Sequence, residues 1–314
     1  MARFLSLAAV ALAAAGPAQA QTWPTRPIEL TVAFTPGAVT DIFARSLADG
    51  MSRELGQPVV VANKAGATGA IGSAAVARAA PDGYSLLFTP AVSITVVPMQ
   101  NKSVGYTYKS FDTVCQTFKN EMVIVARADS KFRDVKGIIA AAKAAPGAVS
   151  YGHLGIASIP HLAMTELSLY AKADFNAVPF KGDSEVMANV LGGHTDFGAV
   201  VLSSAAGSPL RVIGLFGDAR NPLMPDVPTL REQGFDVAPV SFGGIVAPLG
   251  TPAAVKDKLA AACKSAALGE GYSKLARSVG QPVDFYADAA AFARRLDQDA
   301  ADKERLLGAL GDLK

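Results

Sequence analysis

Two glycine-bearing loops hold the residues best suited to chemistry in this chain. Thr35-Pro36-Gly37-Ala38-Val39-Thr40 leads into Asp41, and the stretch from Asn63 to Gly72 carries Gly66, Gly69 and Gly72. Each loop lies between an apolar, strand-like run and a helix-like pattern. A helix start leaves backbone N–H groups without partners and carries the positive end of the helix dipole, so each loop is a potential anion site. Gly37 permits close backbone approach or a positive φ, and the glycines of the second loop do the same. Side by side, the two loops suit one carboxylate. They equally suit tight turns that serve only the fold. The Gly66-x-x-Gly69-x-x-Gly72 spacing is neither the G-x-G-x-x-G dinucleotide fingerprint nor a P-loop, for no Gly-Lys-Ser/Thr follows.

Other reactive side chains are sparse. His153, His161 and His194 form no H-E-x-x-H, and Cys115 and Cys263 give no zinc spacing, so no metal is expected. Ser158 and His161 stand three apart, which allows a shared helix face, but no G-x-S-x-G elbow surrounds Ser158. A helix-start serine offering its N–H and OH to a ligand is the reading favoured over a hydrolase nucleophile. Asp183 follows Lys181-Gly182 and opens a helix pattern. It reads first as an N-cap, and alternatively as a cleft selector that repels a second carboxylate or accepts a ligand donor. Lys181 either attracts an anion or is simply solvated. Asp41 is either a helix-start charge or a cleft acceptor. The two cysteines are 148 positions apart and read as buried free thiols rather than a bridge.

The elements that position these residues alternate. Ile28 to Phe34 reads as a strand, followed by a helix from about Asp41 with Thr40 as N-cap. Phe43, Leu47, Met51 and Leu55 recur every four residues and form one buried stripe, which Gly56 and Pro58 end. Pro58 to Ala62 is a second strand, Ala70 to Ala80 an Ala-rich helix, and Tyr84 to Thr89 a third strand. This alternation predicts a parallel α/β sheet with right-handed crossovers. Phe111 to Thr117 and Glu121 to Ala126 read as extended. A second series then runs through helices over 135–145, 160–170 and 183–191 and strands over 149–152, 177–180, 196–202 and 210–216. The tail from Thr251-Pro252 reads as helical. In open parallel sheets ligands bind beyond the carboxyl ends of the strands, where both glycine loops fall.

The chain has 314 residues, half of them hydrophobic and 18% charged, with a net charge of +2. That length favours two domains, and the composition excludes general disorder. The near-neutral balance gives no footprint for nucleic acid. Arg3, the uncharged run from Phe4 to Ala15, the Gly16-Pro17 break and Ala18-Gln19-Ala20 form a secretory signal pattern, with cleavage expected after Ala20. No later stretch reads as a membrane span, so an exported, periplasmic protein is expected.

Taken in order, the motifs resemble one family along nearly the whole mature chain: the Bug-type, TctC-like receptors of tripartite tricarboxylate transporters. The resemblance is carried by Trp23-Pro-Thr-Arg-Pro-Ile28, Phe34-Thr-Pro-Gly-Ala-Val-Thr-Asp41 and Asn63-Lys-Ala-Gly-Ala-Thr-Gly-Ala-Ile-Gly72. It continues in Ala80-Pro-Asp-Gly-Tyr84, Val178-Pro-Phe-Lys-Gly182, Leu191-Gly-Gly-His-Thr-Asp196 and Leu223-Met-Pro-Asp-Val-Pro-Thr-Leu230. It implies an α/β two-domain Venus flytrap, with residues 21–125 plus 242–314 as one domain and 126–241 as the other. It implies a receptor, not an enzyme, that needs no cofactor, captures a small carboxylate and presents it to transporter membrane subunits. A ligand-sensing partner of a membrane sensor is the alternative. By position, the resemblance places ligand contacts on Phe34, Gly37, Ala38, Thr40 and Asp41, and on Gly66, Ala67, Thr68 and Gly69. Ser158 and Lys181, Gly182 and Asp183 add the second domain's share, and Thr89 extends the wall. The chain departs from the family pattern at Ala38, Thr68, His153 and Asp183, where Gly, Gly, Ser and Ser are usual.

Overall fold

A computed structural model describes residues 23–312 apart from 157, 218, 238–240 and 282–284. The expected signal segment lies outside the described residues. The chain forms two mixed sheets, each covered by helices. The first series is β1 (Ile28–Val32), α1 (Val39–Leu55), β2 (Val59–Asn63), α2 (Ala70–Ala77), β3 (Ser85–Pro90) and α3 (Val96–Gln100). β4 (Phe111–Asn120) and β5 (Met122–Ala126) lead into α4 (Val135–Ala144), β6 (Ser150–His153), α5 (Ile159–Ala171), β7 (Asn176–Pro179) and α6 (Asp183–Leu191). Then come β8 (Phe197–Val201), α7 (Leu202–Ala205), β9 (Arg211–Phe216) and β10 (Ser241–Pro248). The chain ends in α8 (Ala253–Ala267), α9 (Glu270–Ser278), β11 (Ala287–Asp288) and α10 (Ala289–Asp312).

The first sheet has strand order β11-β4-β10-β3-β1-β2, and the second β7-β6-β8-β5-β9. β1 pairs in parallel with β2 and β3, as the alternation predicted. The sheet is not parallel throughout, however. β10 runs antiparallel between β3 and β4. A Cβ on Gly244 would overlap the Cys115 backbone, so the Gly243-Gly244 pair permits this close, bulged pairing. The extended stretch around 121–126 contributes β5 to the second sheet, between β8 and β9.

The period-four stripe of α1 lands as expected: Phe43, Leu47 and Met51 are buried against Ile28, Leu30 and Leu259. The second sheet has its own core, with Ile124, Ile138, Leu167 and Phe197. α10 packs on β4 of the first sheet and on α5 of the second. Leu306 of α10 is fully buried with Val96 and Leu162. The cysteines correct the sequence reading: Cys115 of β4 and Cys263 of α8 form a disulfide, their Cα atoms 6.6 Å apart. α8 packs on β4, so tertiary packing brings together two residues that chain spacing leaves unrelated.

Candidate ligand-binding cleft

The two glycine loops leave the carboxyl ends of the neighbouring parallel strands β1 and β2. Asn63, the last residue of β2, fastens them together. Its Nδ2 donates to the Phe34 carbonyl at 3.0 Å and to Asp41 Oδ1 at 2.8 Å. Asp41 is 2% exposed. Its Oδ2 accepts from the Gly37 N–H at 2.9 Å and from Arg45 Nε at 3.0 Å, and its Oδ1 also accepts from Arg45 Nη2 at 3.0 Å. Burial alone would raise the Asp41 pKa, but the hydrogen bonds from Arg45, Gly37 and Asn63 outweigh it and hold the carboxyl below its ordinary value. Asp41 is therefore the internal staple of the first loop. Thr40, expected as the N-cap, is the second helical residue. Ala38 occupies the cap, with no side-chain bond, and Asp41 reaches back to Gly37 instead.

The second loop has an unusual backbone. Gly66, Ala67, Thr68 and Gly69 have φ of 135°, 48°, 54° and 89°. Four successive positive φ values, two of them on residues with a Cβ, store strain of a kind that concentrates at functional sites. The turn lies directly before α2. Within it the Gly69 N–H bonds the Gly66 carbonyl. The N–H groups of Gly66, Ala67 and Thr68 bond no other described residue. Three backbone donors without described partners thus stand at the start of a helix. Behind them, a Cβ on Gly69 would meet Ser93 Oγ at 2.5 Å and Ala33 Cβ at 3.2 Å, so the loop is pressed onto the first sheet.

Thr68 and Ser158 are brought together on the walls of one cleft of about 290 Å³ between the two sheets. Val92, Val96, Val97 and Gln100 line it from the first half, and Leu154, Ile156, Ile159 and Pro160 from the second. Met122, Val201 and Ser241 complete it. Phe34, Gly37, Ala38, Thr40 and Asp41 stand in the adjoining loop, fastened through Asn63, and not on these walls. Lys181, Gly182 and Asp183 also lie off them, and Thr89 is buried with its hydroxyl on the Pro90 carbonyl. The α3 lining escaped the sequence reading because five residues are too short for a helical period. A larger hollow of about 880 Å³ opens on the other side of α3, against Tyr106, Tyr108 and Leu307. It touches neither glycine loop, whereas the smaller cleft takes in Thr68 of the second.

Ser158 caps α5: its Oγ accepts from the His161 backbone N–H at 3.4 Å. The His161 ring instead stacks on His153, with centroids 4.2 Å apart. Burial, with a smaller contribution from the neighbouring His153, pushes His161 down to about 4. Burial also lowers His153, whose Nδ1 lies 2.9 Å from the Gly155 carbonyl. This is a helix cap beside a buried imidazole pair, not a serine–histidine catalytic arrangement. Asp183 is the first residue of α6, not its cap; Gly182 holds that position. Asp183 Oδ2 accepts from Ser204 Oγ at 2.7 Å, and burial raises the Asp183 pKa. Among the described residues no group of three or more His, Cys, Asp or Glu could hold a metal, and no helix is long and apolar enough to cross a membrane.

Comparison with known proteins follows the same lines. The family described as tripartite tricarboxylate transporter family receptor (TctC) matches residues 43–311. A Cupriavidus necator protein, "UPF0065 protein in gbd 5'region", is 38% identical over 81% of this chain and 79% of its own length. The crystal structure of a TctC solute binding protein from Polaromonas is 28% identical, covers 92% of this chain and 100% of its own, and superposes with a TM-score of 0.82. A Rhodopseudomonas palustris protein solved with adipate shares the fold at 23% identity and a TM-score of 0.74, over 92% of this chain and 98% of its own.

Proposed function

Since the chain belongs to the TctC family of periplasmic solute-binding proteins, which are receptors and not enzymes, we propose that it captures a small carboxylate for uptake by tripartite transporter membrane subunits. The observation that carries this reading is the 66–69 turn. Three N–H groups without described partners stand there at the start of α2, and Thr68 of that turn lines a cleft between two sheets. Backbone donors fixed in place bind an anion without a mobile cationic side chain, and charge-assisted bonds strengthen as water leaves. The first turn of α1 is held beside the second loop by the bonds of Asn63 to Phe34 and Asp41, and a helix start adds its own donors. In this reading Phe34, Gly37, Ala38, Thr40 and Asp41 shape the anion site, and Gly66, Ala67, Thr68 and Gly69 touch the ligand. Ser158 meets it from the opposite wall, and Lys181, Gly182 and Asp183 approach on closure, with Thr89 behind. The two sheets act as two domains, divided at about residues 21–125 plus 242–314 and residues 126–241. Ligand draws them together because it contacts both walls only when they are close. The adipate-bound protein supplies a precedent for a carboxylate in this fold only.

The test is thermal denaturation of the exported, ligand-stripped protein against a panel of carboxylates, amino acids included. A ligand at a hundredfold excess over its Kd adds about 2.7 kcal/mol of stability. A stabilising compound whose effect disappears in a folded Gly37→Pro variant supports the reading. A flat response across the panel overturns it.

A further inference from the structure

Among the described residues, the cleft walls carry no charge. Of the residues that line them, only Thr68, Gln100, Ser158 and Ser241 are polar, and none is Lys, Arg, His, Asp or Glu. The remaining lining is aliphatic, with Val96 and Met122 fully buried at its base. Ile156 lines the same cleft while 67% exposed. A large apolar side chain so exposed, facing other apolar groups across a gap, gains by being covered.

The cations nearest the donor turn are engaged elsewhere. Arg45 is bound to Asp41 at 3.0 Å and to Asn63 at 3.2 Å. Lys64 lies 2.7 Å from Glu29. Lys181 is exposed, off the walls, and shares its turn with Asp183 and Glu185; its own N–H donates to Glu185. The approach from α6 is therefore net negative. Among the described lining residues, the features able to meet an anion are the 66–69 turn, through Thr68, and the start of α5 at Ser158 opposite it, and neither brings a cation.

Resting on the receptor reading, we propose that this cleft takes a monocarboxylic acid whose body is apolar and uncharged, and discriminates against di- and tricarboxylates. One carboxylate is met by the backbone donors. The rest of the ligand lies on Val92, Val96, Val97, Leu154 and Ile156, where a second carboxylate would be stripped of water with no cation to meet it.

The test compares acids with matched bodies, hexanoate with adipate and benzoate with terephthalate, by titration calorimetry on the exported, ligand-stripped protein. The monocarboxylate of each pair is expected to bind roughly tenfold tighter or more, since an unmatched buried charge is the heavier penalty. Ile156→Arg puts a cation on the wall at an exposed position that the fold does not need. It is expected to weaken hexanoate and strengthen adipate, reversing the order. Equal or tighter binding of the dicarboxylates by the unaltered protein overturns the inference. So does a wider panel in which only compounds with a second charged group bind, and either result leaves the receptor reading standing. No binding across that panel overturns both.

Discussion

Thr68 holds a φ of 54° in a position where glycine would be free of penalty. A residue with a Cβ loses about 1–2 kcal/mol in this region, while glycine loses roughly 0.5–1 kcal/mol to chain entropy. Thr68→Gly is therefore expected to leave stability within about 1 kcal/mol of the original by chemical denaturation, yet to weaken carboxylate binding because the methyl and hydroxyl leave the wall. Equal affinity in the variant would place Thr68 outside the ligand's reach. A second residue-scale expectation concerns His161, 8% exposed and favoured in its neutral form. Its folded value, about 4, lies below its ordinary 6.5. Its contribution is thus complete above about pH 6.5 and is lost as pH falls toward 4, because the unfolded chain takes up the proton first. Unfolding free energy should fall across that interval, and should fall less in His161→Phe, by an amount on the order of 2 kcal/mol at the acid end. Carboxyl groups titrate in both proteins, so the difference reports the imidazole.

At the scale of elements, the disulfide between β4 and α8 closes a loop of 148 residues. Chain entropy alone assigns such a closure about 5 kcal/mol. Cys115→Ala/Cys263→Ala should lower unfolding free energy by about 3–5 kcal/mol, measured in urea without reductant. A loss under about 1 kcal/mol would mean that packing of α8 on β4 suffices without the bond. This bond was not legible in the sequence, because pairing depends on where a strand and a helix meet and not on their spacing. What could be read was local. The Phe43, Leu47, Met51 stripe announced α1, and the bounds of α6, Asp183–Leu191, fall where the residues between Gly182 and Gly192 put them. β10 was missed because its Gly243-Gly244 pair breaks the apolar pattern of a strand. The donor loops were legible as glycine turns before helices. Their four positive φ values, and the walls supplied by α3, depended on packing against Ala33 and Ser93 that no motif encodes.

The whole molecule is fastened on both sides of its cleft. α10 lies on β4 and on α5, with Leu306 buried beside Val96 and Leu162, and Arg305 within 4.0 Å of Glu166. A helix that grips both sheets opposes their separation. Leu306→Ala should cost about 2–5 kcal/mol. It should also enlarge the ligand-free radius of gyration in X-ray scattering, with addition of ligand restoring compactness. An unchanged radius would show that α10 anchors only the first sheet.

The placement of β10 also governs the order in which the chain can become itself. β3 and β4 do not pair with each other; each pairs with β10, which begins at residue 241. Without β10, the strands β1–β3 and the strand β4 have nothing to join them. The second sheet, complete by Phe216, already has every strand it needs. The first sheet, which carries both glycine loops, is thus closed by a strand that follows the whole of the second sheet in sequence.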